Sequence, residues 1–170
     1  MHAEAAALIE RLGMRRHPEG GWYRELHRSS ARVRYDNRYR PVDRSALTTI
    51  FYLLEGDDFS ALHRLRSDEV WFFHAGSTLA IYAIEPSGAL RVDRLGDARL
   101  DAAAAFSVAV PAETWFGARL ESAGGWALVS AAVAPGFEFE DFELAQRGVL
   151  TAAFPQHAPV VAALTRTGPP

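Results

Sequence analysis

From residue 46 to residue 136 short apolar runs rich in β-branched and aromatic residues alternate with turn residues. ALTTIFYLL at 46–54 stops at Glu55-Gly56-Asp57-Asp58, Leu79 to Ile84 stops at Glu85-Pro86-Ser87-Gly88, and Trp126 to Ala134 stops at Pro135-Gly136. Between them lie ALRVDRL at 89–95, which alternates apolar and charged residues, Ala105 to Val110 ahead of Pro111, and Trp115 to Leu120. Runs this short, punctuated every roughly eight to twelve residues by turn chemistry, suit strands and are too brief for helices. The spacing predicts an all-β, antiparallel sandwich or barrel.

The ends read differently. AEAAALIERL at 3–12 carries an apolar stripe and is followed by Gly13, the pattern of a short helix with its stop. After the turn HPEGG, Trp22 to Leu26 predicts a strand, and the segment to Arg44 a polar loop. Phe139, Phe142 and Ala145 recur at helical spacing behind an acidic first turn, which predicts a closing helix over about 139–148. The prolines at 155, 159, 169 and 170 predict an irregular tail over 155–170. With 170 residues and 49% hydrophobic content, the chain is expected to be one domain over 1–170, its barrel spanning about 20–135.

Composition removes several classes of chemistry. The chain has no Cys, hence no disulfide, thiolate metal site or cysteine nucleophile, and all 18 basic residues are Arg, hence no lysine Schiff base. No apolar run approaches the roughly 20 residues of a membrane span, and the N-terminus lacks the pattern of a signal peptide. The expected setting is cytoplasmic, without a membrane partner. The net charge of −3 argues against nucleic acid as a partner. Seven arginines (24, 28, 32, 34, 38, 40 and 44) crowd one span, where salt bridging to nearby acids is the expected role.

Chemistry concentrates in Ser60 to Gly76, SALHRLRSDEVWFFHAG. Alternation along a strand puts Glu69, Trp71 and Phe73 on one face and Val70, Phe72 and His74 on the other. If His63 and Leu65 face the same interior, a histidine and a carboxylate meet between aromatic walls. Tyr23 and Arg24, on the strand after HPEGG, are further candidates for the pocket, Arg24 as a counter-charge to an anionic ligand.

His63-x-Leu65-x3-Glu69-x6-Gly76 resembles the first cupin motif with its second histidine absent, and Pro111 to Phe116 echoes the second motif only in its proline. HPEGGWYRE at 17–25, TTIFYLL at 48–54, HRLRSDEVWFFHAG at 63–76 and VAPGFEFEDFELA at 133–145, in that order, are similar to the uncharacterised cupin five subfamily. Where that subfamily shows Trp-His-Phe-His, this chain has Trp71-Phe72-Phe73-His74. The resemblance implies an antiparallel double-stranded β-helix, the cupin jelly-roll barrel, with short N-terminal and C-terminal helices, a homodimer, and a ligand pocket inside the barrel.

Metal-dependent cupins hold a first-row metal with three histidines and a glutamate; here Leu65 and Phe116 stand at two of those positions. The expectation is therefore no metal and no cofactor. His63 and Glu69 are expected to serve as catalytic residues, His63 as a base oriented by Glu69, with His63, Glu69, Trp71, Phe73, Phe116, Tyr23 and Arg24 contacting the ligand. Ser60-Ala61-Leu62-His63 resembles the strand carrying the base in metal-free sugar epimerases of this fold, for which Tyr23, Tyr52 and Tyr82 are candidate acids. The expected function is binding of a small polar, carbohydrate-like or anionic molecule, with isomerase or epimerase chemistry as its catalytic form. A metal-dependent dioxygenase or isomerase and a non-catalytic structural or regulatory module are the alternatives.

Overall fold

The computed structural model describes residues 2–36 and 41–167. In chain order it runs α1 (Ala3–Leu12), β1 (Arg15–Arg16), β2 (Trp22–Arg28), β3 (Arg32–Asp36), β4 (Pro41–Ser45), β5 (Thr48–Glu55), β6 (Phe59–Leu65) and β7 (Asp68–Gly76). There follow β8 (Leu79–Ile84), β9 (Leu90–Leu95), β10 (Ser107–Val110), β11 (Trp115–Leu120), β12 (Trp126–Ala134), β13 (Phe142–Leu144), α2 (Arg147–Ala153) and α3 (Ala158–Ala163). Two antiparallel sheets, ordered β1-β2-β5-β12-β7-β10 and β13-β6-β11-β8-β9, face each other as a jelly roll.

The main core fills the space between the sheets with the alternate apolar residues of each strand, among them Leu79, Ile81 and Ala83 of β8 and Val129 and Ala131 of β12. Large side chains buried this fully contribute about 1.5–3 kcal/mol each. The apolar length of β12 has two causes. Its inner face joins this core, while Leu128 on the outer face is covered by α1, whose Ala5, Leu8 and Ile9 pack with Leu53, Leu128 and Trp126.

Three expectations need correction. The segment before Arg44 is a two-stranded hairpin, β3 with β4, rather than a loop. Arg28 and Arg44 there are ion-paired, with Glu25 and Glu138 and with Asp141 respectively, and Arg32 pairs with Asp43; Arg38 and Arg40 lie outside the described residues. The closing helix begins at Arg147, not near 139: Phe139–Asp141 is a 3-10 turn, and β13 pairs with the edge of β6, Phe142 opposite Leu65 and Leu144 opposite His63. A sheet edge with free backbone groups captured a segment whose side-chain spacing alone suited a helix. The segment expected to be an irregular tail contains a 3-10 turn at Pro155–His157 and then α3, whose Val161, together with the following Leu164, is buried against Leu62 and Ile84. Both prolines sit in the first turn of these helices, where the missing N–H is no loss.

Candidate functional site

Strand register places the site. Across the six-stranded sheet, Tyr23, Tyr52 and Val129 form one inward rung, Glu25, Ile50, Ala131 and Trp71 the next, and Arg28, Thr48, Val133 and Glu69 a third. Arg28 belongs there because of a β-bulge: Glu25 pairs with Ile50, but His27 then pairs with Thr49 and Arg28 with Thr48. One extra residue reverses the facing of everything beyond it, so Arg28 rather than His27 takes the inward place.

The opposite sheet contributes His63 and Leu65 from β6 and, through β13, Phe142. A second irregularity lies between β6 and β11, where Phe116 pairs with His63 but Ala118 with Ser60. Gly117 lies at this irregularity; a Cβ there would sit 2.6 Å from the Ser60 carbonyl oxygen. Around it β6 turns main-chain groups outward from its ladder. The Ala61 N–H donates to the Glu19 carbonyl at 2.9 Å, and the Leu62 N–H to the Leu164 carbonyl at 2.7 Å.

The first of those bonds brings in the turn His17–Gly21. Gly20 and Gly21 hold positive φ of 114° and 68°, and a Cβ on Gly20 would lie 2.3 Å from the Phe59 carbonyl. Pressed against the barrel this closely, the turn sends the Glu19 side chain inward. Glu19 Oε1 accepts from Ser60 Oγ at 2.8 Å, while Oε2 lies 3.3 Å from His17 Nδ1 and 3.5 Å from His63 Nε2. Tyr52 Oη closes the arrangement by donating to the Gly20 carbonyl at 2.8 Å.

The result is a cavity of about 190 Å³. Glu19, His63, Glu69, Tyr52 and Trp71 are buried around it, while the rim carries the exposed Arg15, Glu25, Arg28 and Phe139 together with Glu138. His63 Nδ1 lies 2.8 Å from the Ala61 carbonyl. A carbonyl only accepts, so Nδ1 carries the proton and Nε2 faces Glu19. Burial lowers the His63 pKa below its usual 6.5, against the pull of the Glu19 charge. For Glu19, burial acts upward but is outweighed by His63 and His17 and by hydrogen bonds from His17 and Ser60, which hold the carboxyl at about 2. Glu69 is the reverse: burial, with the Glu19 charge added, pushes it up to about 8, although Oε1 accepts from Trp71 Nε1 at 2.9 Å. At neutral pH the buried interior of the cavity therefore holds one ionised carboxyl, Glu19, and one protonated carboxyl, Glu69, a separation that suits acid and base roles.

Of the expected site residues, the cavity gathers His63, Glu69, Trp71 and Tyr23. The expected pairing of His63 with Glu69 gives way to His63 with Glu19. β6 and β7 are consecutive in the chain but belong to opposite sheets, so their side chains approach from two walls instead of meeting across a hairpin. Phe116 is fully buried behind His63, ring centroids 4.2 Å apart, and belongs to the core rather than to the cavity wall. Phe73 likewise packs on the core. Arg24 points away, its Nη1 donating to the Leu12 carbonyl at the end of α1. Tyr82 lies under the Arg119 guanidinium, off the cavity.

His17, Glu19 and Arg28 escaped the strand pattern. HPEGG reads as a turn, and nothing in its composition indicates that the glutamate faces inward, since that direction comes from contacts with residues 52, 60 and 61.

The residues do not fit a cupin metal. Leu65 lines the cavity without a donor atom, Phe116 is core, and Glu19 Oε2 already stands between the two imidazoles. Among the described residues no group of three His, Cys, Asp or Glu side chains is placed to hold an ion. Among those residues, too, no helix is long and apolar enough to cross a membrane.

Comparisons with known proteins place this architecture. A protein of Shewanella oneidensis with an X-ray crystal structure is similar at 37% identity over 99% of both chains, with a TM-score of 0.84. A hypothetical protein from Leishmania major is similar at 34% identity over 98% of this chain and 100% of its own, with a TM-score of 0.85. Oxalate decarboxylase from Bacillus subtilis shares the fold alone, at 13% identity and a TM-score of 0.55, this chain covering 40% of its length. No curated protein matches the sequence. The family model described as cupin superfamily (DUF985) matches residues 6–145, so the chain belongs to that family of cupins.

Proposed function

We propose that the barrel binds a small polar molecule and moves a proton on it without a metal, as an isomerase or epimerase does. The observation that supports this reading is the convergence of Glu19, His63 and Glu69 on one cavity, beside aromatic wall residues that include Tyr52, Trp71 and Phe142. Buried polar groups are costly unless used or satisfied, and here they collect where a ligand has room. The volume equals that of roughly six waters, the size of a small sugar or organic acid.

The roles follow from the protonation states. The Glu19–His63 couple accepts a proton from a carbon next to a ligand carbonyl, becoming the ion pair. The electron pair of that C–H bond moves to the carbonyl oxygen, which takes the Glu69 proton. In an α-hydroxy carbonyl ligand, delivery of the couple's proton to the former carbonyl carbon, with the hydroxyl proton of the neighbouring carbon passing to Glu69, moves the carbonyl by one carbon without any oxidant or reductant.

Two measurements test this. In a thermal-shift panel of monosaccharides, sugar phosphates and small hydroxy acids, at least one class should raise the melting temperature of the wild-type protein, and His63→Ala should abolish that rise while keeping the far-UV spectrum. In D2O the binding class should gain deuterium at carbon with wild-type protein and not with His63→Ala. A His63→Ala profile identical to wild type would overturn the proposal. Elemental analysis of the purified protein should find first-row metal well below one ion per chain. Stoichiometric iron, manganese, nickel or zinc, lost with His63→Ala, would favour the metal-dependent alternative.

A further inference from the structure

The family match ends at residue 145, yet the chain returns to the site beyond it. α2 and α3 are tied together by Arg147, which donates to Thr165 Oγ1 at 2.7 Å and to the Ala162 carbonyl at 2.9 Å. Leu164 and Thr165 are buried, and the Leu164 carbonyl is held by the Leu62 N–H at the irregularity in β6. This anchorage presents Arg166 to the outside of the His17–Gly21 turn.

The Arg166 guanidinium gathers three partners there. Nη2 donates to Asp58 Oδ1 at 2.8 Å and to the Phe59 carbonyl at 2.9 Å, and Nε and Nη2 lie 3.4 and 3.3 Å from the Glu19 carbonyl oxygen. The group also stacks over the Phe59 ring at 4.4 Å. Asp58 holds the same turn from its other oxygen, which accepts from the Gly21 N–H at 2.9 Å. The position after Glu19 is a glycine with φ of 114°, and a Cβ there would also meet the Phe59 carbonyl at 2.3 Å. The carbonyl of the residue whose carboxylate faces His63 is thus gripped from outside by the C-terminal segment.

We propose that Arg166 is a positioning residue of the barrel site, fixing the Glu19 main chain and thereby the place of the Glu19 carboxylate between His17 and His63. It rests on the functional reading above only in treating the Glu19–His63 couple as the working part of the site. A guanidinium suits the task, since its several N–H groups reach two carbonyls and a carboxylate at once, which a point charge does less well.

The experiment follows the His63 ring by NMR through a pH titration, in ligand-free protein. The titratable groups that face it are Glu19 and His17 from the turn and, across the cavity, Glu69. Glu19→Gln removes the carboxylate charge and should move the His63 midpoint down. Arg166→Ala should move it in the same direction by a smaller amount, and Arg166→Lys should recover part of the shift. Should Arg166→Ala fail to fold, Arg166→Gln is read by the same criterion. A His63 titration unchanged in the Arg166 variants, whatever happens to the melting temperature, would reduce Arg166 to a structural tie and overturn the proposal. Failure of the ligand panel on wild-type protein would count against the proposed function and leave this titration intact.

Discussion

Between pH 5 and pH 9 the wild-type protein should lose about 3–5 kcal/mol of stability that Glu69→Gln keeps. Glu69 has its pKa raised from an ordinary 4.5 to about 8 by burial and by the Glu19 charge. The folded state therefore binds this proton more tightly than the unfolded chain. The stabilisation is complete below pH 4.5 and is lost as pH rises through about 8. Glutamine removes the titration while its amide oxygen still accepts from the Trp71 indole, as Glu69 Oε1 does at 2.9 Å. His63, whose pKa burial lowers, works in the opposite sense below pH 6.5, but it is common to both proteins and cancels in their difference. Urea midpoints measured across the pH range supply the comparison. Parallel curves for the two proteins would show that Glu69 is ionised in the cavity at neutral pH, and the acid role assigned to it would fall.

The second large effect belongs to Glu19. Its carboxyl is held near 2, so its contribution is present above pH 4.5 and lost as pH falls through about 2, the other side of the range from Glu69. Glu19→Ala should cost about 1–3 kcal/mol at pH 7, because it leaves the buried Ser60 hydroxyl without its acceptor. Glu19→Gln should cost less, since the Ser60 hydroxyl retains a partner. Denaturant unfolding at pH 7 checks the order of the three proteins. A Glu19→Ala variant as stable as wild type would mean that the turn does not hold its carboxylate inside the barrel.

Much of this fold is legible in local pattern. The strands from Thr48 to Ala134 are where short apolar runs and turn residues place them. Tyr23, His63, Glu69 and Trp71 reach the cavity because alternation along a regular strand is a local rule. The remainder is decided at a distance. Arg28 faces inward through a bulge that no residue type announces, and β13 is a strand because β6 had a free edge. Glu19 is aimed by Ser60, Ala61 and Tyr52, some 33 to 42 positions away, whereas its own neighbours Pro18 and Gly20 signal only a turn. Sequence reasoning therefore located the cavity and its polar groups His63 and Glu69 but paired them with each other, when His63 faces Glu19 from the distant turn and Glu69 accepts from Trp71 on its own strand.

The grip of Arg166 on the Glu19 carbonyl spans 147 positions of chain. At about 5–20 residues per second of synthesis, roughly 7–30 s separate the emergence of the two. During that interval the jelly-roll strands are already available to pair, and the turn carrying the buried anion is held by Asp58, Tyr52, Ser60 and Ala61 without Arg166. A nascent chain arrested before residue 166 would display the barrel strands without the Arg166 contact to the Glu19 carbonyl.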